Sequence, residues 1–128
     1  MPQEERLPVF VYGTLKPGGR LFHHISHAVV EAVPAAIYGR LYDTPFGYPL
    51  LLDAGDESCP LITGMLLFPL DELYEEMLRI IDVIELEAGF EKGVREVFTE
   101  EGTTVRAVVY YYREAPRYAH PYEGTCWE

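Results

Sequence analysis

The sequence predicts an α+β fold from three features: short strand-like runs spread along the chain, one strongly amphipathic helix between residues 71 and 89, and glycine or proline at the junctions. At 128 residues and 48% hydrophobic content the chain is the right size for one ordinary core, so residues 1–128 are read as a single domain.

The first strand is predicted over Leu7 to Tyr12, an apolar run with β-branched and aromatic residues that stops at Gly13. Val29 to Val33 and Ala36 to Tyr42 read as two short strands separated by Pro34. The breakers and aromatics of Thr44-Pro45-Phe46-Gly47-Tyr48-Pro49 predict a loop before the apolar Leu50-Leu51-Leu52, and Ile62 to Phe68 is the next strand. Asp71 is placed to cap a helix whose first turns carry Glu72, Glu75 and Glu76, charges that suit the positive end of the helix dipole. Leu73, Met77, Ile80, Ile81 and Ile84 recur at three- and four-residue steps along it, and Gly89 is the expected stop. Val94 to Thr99 and Thr104 to Tyr112 flank Glu100-Glu101-Gly102-Thr103, whose glycine suits a hairpin loop. The tail from Pro116 shows no period, yet Tyr118, Tyr122 and Trp127 imply that it docks on the body.

Ten Lys and Arg against 21 Asp and Glu give a net charge of −11, which repels nucleic acid and anionic membrane. No apolar run approaches the roughly 20 residues that span a bilayer, and the first six residues lack the basic-then-apolar order of a signal peptide, so the cytoplasm is the expected compartment. Cys59 and Cys126 lie far apart and match no redox or metal-ligand spacing; both read as structural thiols.

Glu85 lies one turn after Ile81, at the margin of the apolar helix face, where a carboxylate loses hydration and its pKa rises toward neutrality. Position alone fits a solvated boundary residue at least as well. Asp82 points further towards water. Tyr12-Gly13-Thr14-Leu15 leaves the end of a strand, and such a turn can aim several backbone N–H groups at one anionic oxygen. A phosphate-binding P-loop is excluded, because Gly13 to Gly18 is followed by Gly19-Arg20 in place of Lys and Ser or Thr. His23 and His27 have the spacing of a zinc pair, but His24 stands where a metalloprotease needs Glu, and no metal is expected.

Taken in order, Val11-Tyr12-Gly13-Thr14-Leu15-Lys16, Gly47-Tyr48-Pro49-Leu50-Leu51, Gly64-Met65-Leu66-Leu67, Ile81-Asp82-Val83-Ile84-Glu85 and Arg95 with Val97 make the chain resemble the γ-glutamylcyclotransferase-like family. The resemblance spans most of the chain. It implies a partly closed mixed β-barrel with flanking helices, Glu85 as catalytic acid/base, and a Tyr-Gly-x-x loop that binds a γ-glutamyl group through backbone N–H donors. It also implies cofactor-independent release of 5-oxoproline from a γ-glutamyl amine or γ-glutamyl amino acid. Where the family has Tyr-x-Arg this chain has Gly93-Val94-Arg95, with Phe90 as the nearest ring that could stand in.

Arg95 is the candidate for orienting a carboxylate, either the substrate's or that of Glu85, with a surface strand-end Arg as the competing reading. One of Tyr110, Tyr111 and Tyr112 on the last long strand is expected to line the pocket; alternation puts Tyr110 and Tyr112 on one face and Tyr111 on the other, so at most one of those faces should see the site, and Tyr111 is the candidate carried forward. The expected site is therefore Glu85 with Tyr12, Gly13, Thr14, Leu15, Arg95 and Tyr111. The alternative is a binding module of the same fold that holds a small carboxylate or amide without turnover.

Overall fold

The computed structural model describes residues 6–52 and 58–127. The first five residues, on which most of the signal-peptide argument falls, lie outside it. Five strands close a barrel in the order β1-β5-β2-β6-β7, comprising β1 (Val9–Val11), β2 (Val29–Tyr38), β5 (Leu61–Pro69), β6 (Glu91–Thr99) and β7 (Thr104–Tyr111). All neighbours are antiparallel except β1 and β7, which meet in parallel at Val9 and Val108, so the barrel is mixed and fully closed. Beside it, β3 (Arg40–Asp43) pairs with β4 (Pro49–Leu52) and with the tail strand β8 (His120–Pro121).

Closure needs inward-facing apolar side chains on every strand, and the alternation supplies them. Phe10, Ile62, Leu66, Val97, Ala107 and Val109 are almost wholly inaccessible. The two runs expected around Pro34 are one strand of ten residues. Up to Pro34, β2 pairs with β5 alone, and β6 joins only at Ala35 and Ala36, so a residue without an N–H is tolerated on the unpaired side. The break falls instead at Gly39, after which the chain crosses into the smaller sheet.

Helix α1 (Tyr74–Glu87) follows a single 3-10 turn at Asp71–Leu73. Asp71 does not cap it: Leu70 and Leu73 occupy the two cap positions, and neither makes a side-chain cap hydrogen bond. The expected apolar face is correct, with Met77 and Ile81 completely buried and Leu73, Ile80 and Ile84 packed at the edge of the core. Gly89, at φ 97°, ends the helix, and the N–H groups of Ala88 and Phe90 both reach the Glu85 carbonyl oxygen at 3.1 Å. Gly102, at φ 84°, makes the β6–β7 turn. Among the described residues no helix is long and apolar enough to cross a membrane.

The tail is docked. Tyr122 and Trp127 pack against the core, Trp127 Nε1 donates to Asp43 at 3.2 Å, and Lys16 Nζ donates to the Trp127 carbonyl at 2.8 Å. Cys59 is buried, as a structural thiol should be, whereas Cys126 is exposed with Lys16 Nζ 3.7 Å from its sulfur. His27 pairs with Glu76 on α1 at 2.7 Å, and the rings of His23 and His24 sit side by side.

Candidate active site

The end of β1 carries Tyr12 out of the barrel wall into a turn closed by the Lys16 N–H on the Gly13 carbonyl at 3.0 Å. A second bond, from the Leu21 N–H to the Thr14 carbonyl at 3.0 Å, folds the following segment back onto the turn. Gly13 does not have a positive φ; what its position requires is the close approach of Pro49. A Cβ at Gly13 would lie 2.7 Å from both Cγ and Cδ of Pro49. Among the described residues no protein oxygen accepts a hydrogen bond from the N–H groups of Gly13, Thr14 or Leu15.

Tyr12 is itself fixed. Its hydroxyl donates to the Tyr110 carbonyl at 2.8 Å and accepts the Leu51 N–H at 3.0 Å, joining the barrel to the smaller sheet. Tyr12→Phe therefore removes two buried hydrogen bonds, and we expect a loss of about 1–3 kcal/mol in denaturant unfolding. An unchanged midpoint would show that the hydroxyl is no brace.

Across from this turn lies Glu85. The turn and the carboxylate line one cavity of about 240 Å³, larger than the ~150 Å³ apolar cavity that admits benzene. Gly13, Thr14 and Leu15 form part of one wall, and Ile84, Glu85 and Ala88 part of another. Tyr48, Pro49, Phe90 and Tyr110 contribute further walls, with Arg20 and Leu21 also present.

Glu85 is half-buried, and among the described residues its carboxylate has no hydrogen-bond or ion-pair partner. Burial alone raises its pKa from the ordinary value near 4.5 to about 7. Its charge in turn helps to raise the pKa values of Tyr12, Tyr48, Tyr110 and Tyr112, with burial the first cause for each. The phenols around the cavity are thus uncharged hydroxyls at neutral pH. Asp82, one turn earlier, is not directed simply to water: it accepts the Tyr110 hydroxyl and pairs with Lys92 Nζ at 3.1 Å, tying α1 to β7 and β6.

The structure brings together Tyr12, Gly13, Thr14, Leu15 and Glu85, and leaves Arg95 and Tyr111 out of the cavity lining. The Arg95 guanidinium lies over the Tyr111 ring, 4.7 Å from its centroid, and Gly93 is beside both: a Cβ there would lie 2.8 Å from Arg95 Nη1 and 3.1 Å from Tyr111 Cε1. The alternation of Tyr110 and Tyr111 was legible, but the cavity lies on the face that Tyr110 occupies. Gly93 therefore stands where a larger side chain would collide with this stacked pair, and Phe90 lines the cavity instead. Sequence reasoning missed Arg20 and Tyr48 as lining residues, and it carried Tyr111 forward where the lining ring of that strand is Tyr110. Tyr48, within a motif that had already been singled out, was the best available signal.

A family model described as Gamma-glutamyl cyclotransferase, AIG2-like matches residues 9–128. Among curated proteins none matches in sequence. Among solved structures, an AIG2-like protein from Mus musculus is 23% identical with a TM-score of 0.70, covering 95% of this chain and 88% of its own. A protein from Arabidopsis thaliana is 20% identical with a TM-score of 0.65, covering 91% of this chain and 76% of its own. A structure described as a gamma-glutamyl cyclotransferase is 14% identical with a TM-score of 0.59, covering 91% and 72%. At these identities the structures establish a shared fold.

Proposed function

The chain belongs to the Gamma-glutamyl cyclotransferase, AIG2-like family, and from that premise we propose that it converts a γ-glutamyl amine or γ-glutamyl amino acid into 5-oxoproline and the free amine. The observation that carries this reading is the shared cavity, with an unpaired, half-buried carboxylate on one wall and a turn with unengaged N–H donors on another.

The reaction is intramolecular. The α-amine of the glutamyl group attacks its own γ-carbonyl, a C–N bond forms, and the bond to the leaving nitrogen breaks. Glu85 takes the proton that the attacking nitrogen must shed and delivers it to the leaving nitrogen, so its carboxyl ends as it began. A pKa of about 7 suits both halves of that task at neutral pH. The N–H groups of Gly13, Thr14 and Leu15 hold an anionic oxygen of the glutamyl end. Confinement supplies a further part of the rate, because attack requires the amine and carbonyl to be folded onto one another. No step calls for a cofactor or a metal.

The test is incubation with γ-glutamyl amines, γ-glutamyl dipeptides and ε-(γ-glutamyl)lysine, with 5-oxoproline followed by mass spectrometry. Formation of 5-oxoproline with release of the matching amine is expected. Its absence from every reaction, with thermal shifts on ligand addition, would favour a binding module. Glu85 acts first as a carboxylate, so kcat/KM should fall as pH drops through about 7. An acid limb near the reference value of about 4.3 would remove Glu85 as the base.

A further inference from the structure

Among the described residues the cavity lining has one cation, Arg20, and one carboxylate, Glu85. Among the described residues the two form no ion pair. Arg20 is exposed, whereas Thr14 and Leu15 are buried, so the guanidinium stands on the solvent side of the turn.

Arg20 Nη2 makes two long contacts, 3.4 Å each, to the carbonyls of Phe46 and Gly47. Among the described residues its Nε and Nη1 hydrogens meet no acceptor and no carboxylate pairs with it, although the chain carries 21 Asp and Glu. The two carbonyl contacts hold the side chain against the 44–49 loop and leave the rest of the fork for another acceptor. Rings continue from that loop: Phe46 stacks on Tyr48 at 6.0 Å, and Tyr48 meets Phe90 at 6.0 Å. Tyr118 from the tail packs edge-on to Phe46 at 5.0 Å.

If the glutamyl end occupies the turn and Glu85, as proposed above, the leaving group has to extend toward solvent, past Arg20 and these rings. We infer that Arg20 binds the carboxylate of an amino-acid leaving group, so that the preferred substrates are γ-glutamyl amino acids with a side chain able to lie on Tyr48 and Phe90, rather than simple γ-glutamyl amines. The assignment rests on the cyclotransfer reading for the orientation of the substrate. Guanidinium and carboxylate meet through paired, charge-assisted hydrogen bonds, which an amine of the same shape lacking the carboxylate cannot make.

The experiment compares γ-glutamylphenylalanine with γ-glutamylphenethylamine, which differ only in that carboxylate. Measurements are kcat/KM with wild-type protein, Arg20→Gln and Arg20→Lys, and calorimetric Kd with the Glu85→Gln forms of each. With Arg20 in place, the phenylalanine conjugate should be preferred by at least about tenfold, in kcat/KM with wild type and in Kd with Glu85→Gln. Arg20→Gln should bring that ratio close to one, and Arg20→Lys should keep part of it. Equal use of both conjugates by wild type, or a preference that survives Arg20→Gln, overturns the subsite while leaving cyclotransfer standing. A proportional loss on both conjugates also overturns it, since Arg20 would then serve the glutamyl end. An Arg20-dependent binding preference without any 5-oxoproline supports the subsite and sinks the enzyme reading instead. Absence of both turnover and binding removes both.

Discussion

Glu85→Gln should abolish 5-oxoproline formation, with a loss of about 10²–10⁴-fold, while making the protein more stable at neutral pH. The amide keeps the shape of the side chain but cannot carry a proton from the attacking nitrogen to the leaving one. The stability effect follows from burial. In the folded protein the carboxyl ionises near pH 7, and in the unfolded chain near about 4.3. The folded form therefore holds the proton more tightly between those values, and stability declines as pH rises through that window, the full cost being present above about pH 7. The difference corresponds to an upper bound of about 4 kcal/mol. Glutamine carries no charge to desolvate and should recover part of it. Thermal unfolding at pH 5 and pH 8 would show a gain for the variant that is larger at the higher pH. Equal melting shifts at both pH values would argue that the carboxyl is well hydrated, and retained turnover would refute its catalytic assignment. A gain in stability with loss of activity is what a site held in an unfavourable environment for its chemistry predicts.

Gly13→Val should damage the turn itself. A Cβ at this position meets two atoms of the Pro49 ring at 2.7 Å, and that ring cannot rotate aside as a flexible side chain would. Either the turn or the start of β4 has to move, at a cost of about 1–3 kcal/mol, and the N–H groups of residues 13–15 would move with it. Affinity for a γ-glutamyl ligand should drop together with the unfolding midpoint. Gly13→Ala already introduces the colliding atom and should show most of the effect. Normal affinity in both variants would argue against the turn as the glutamyl site.

Much of this site could be read in one dimension because its parts obey local rules. A buried strand ending at Gly13, an apolar helix face with a carboxylate at its margin and a stop at Gly89 are all consequences of periodicity and backbone preference within a few residues. The same rules located the hairpin at Gly102 and the opposed faces of Tyr110 and Tyr111. They misplaced the strand break at Pro34, because whether a missing N–H matters depends on which side of the strand is paired. They also gave Asp71 a capping role, from composition alone, that its side chain does not perform.

Arg95 and Tyr111 show where local rules end. Alternation says that two residues face opposite ways, but which way is inward depends on the strands that pair and on where the helix lies across them. Here β7 turns Tyr110 toward α1 and the cavity, while Tyr111 carries the Arg95 guanidinium over its ring. Arg20 and Tyr48 are the converse case: separated by 28 positions, they come together because the turn after β1 folds against the loop before β4. By itself the sequence determined the element types, the acidic balance and the two pieces of the candidate site, since each depends on neighbours in the chain. Only the tertiary structure decided which side chains share the cavity and how far burial raises the Glu85 pKa, because both depend on residues brought together by barrel closure.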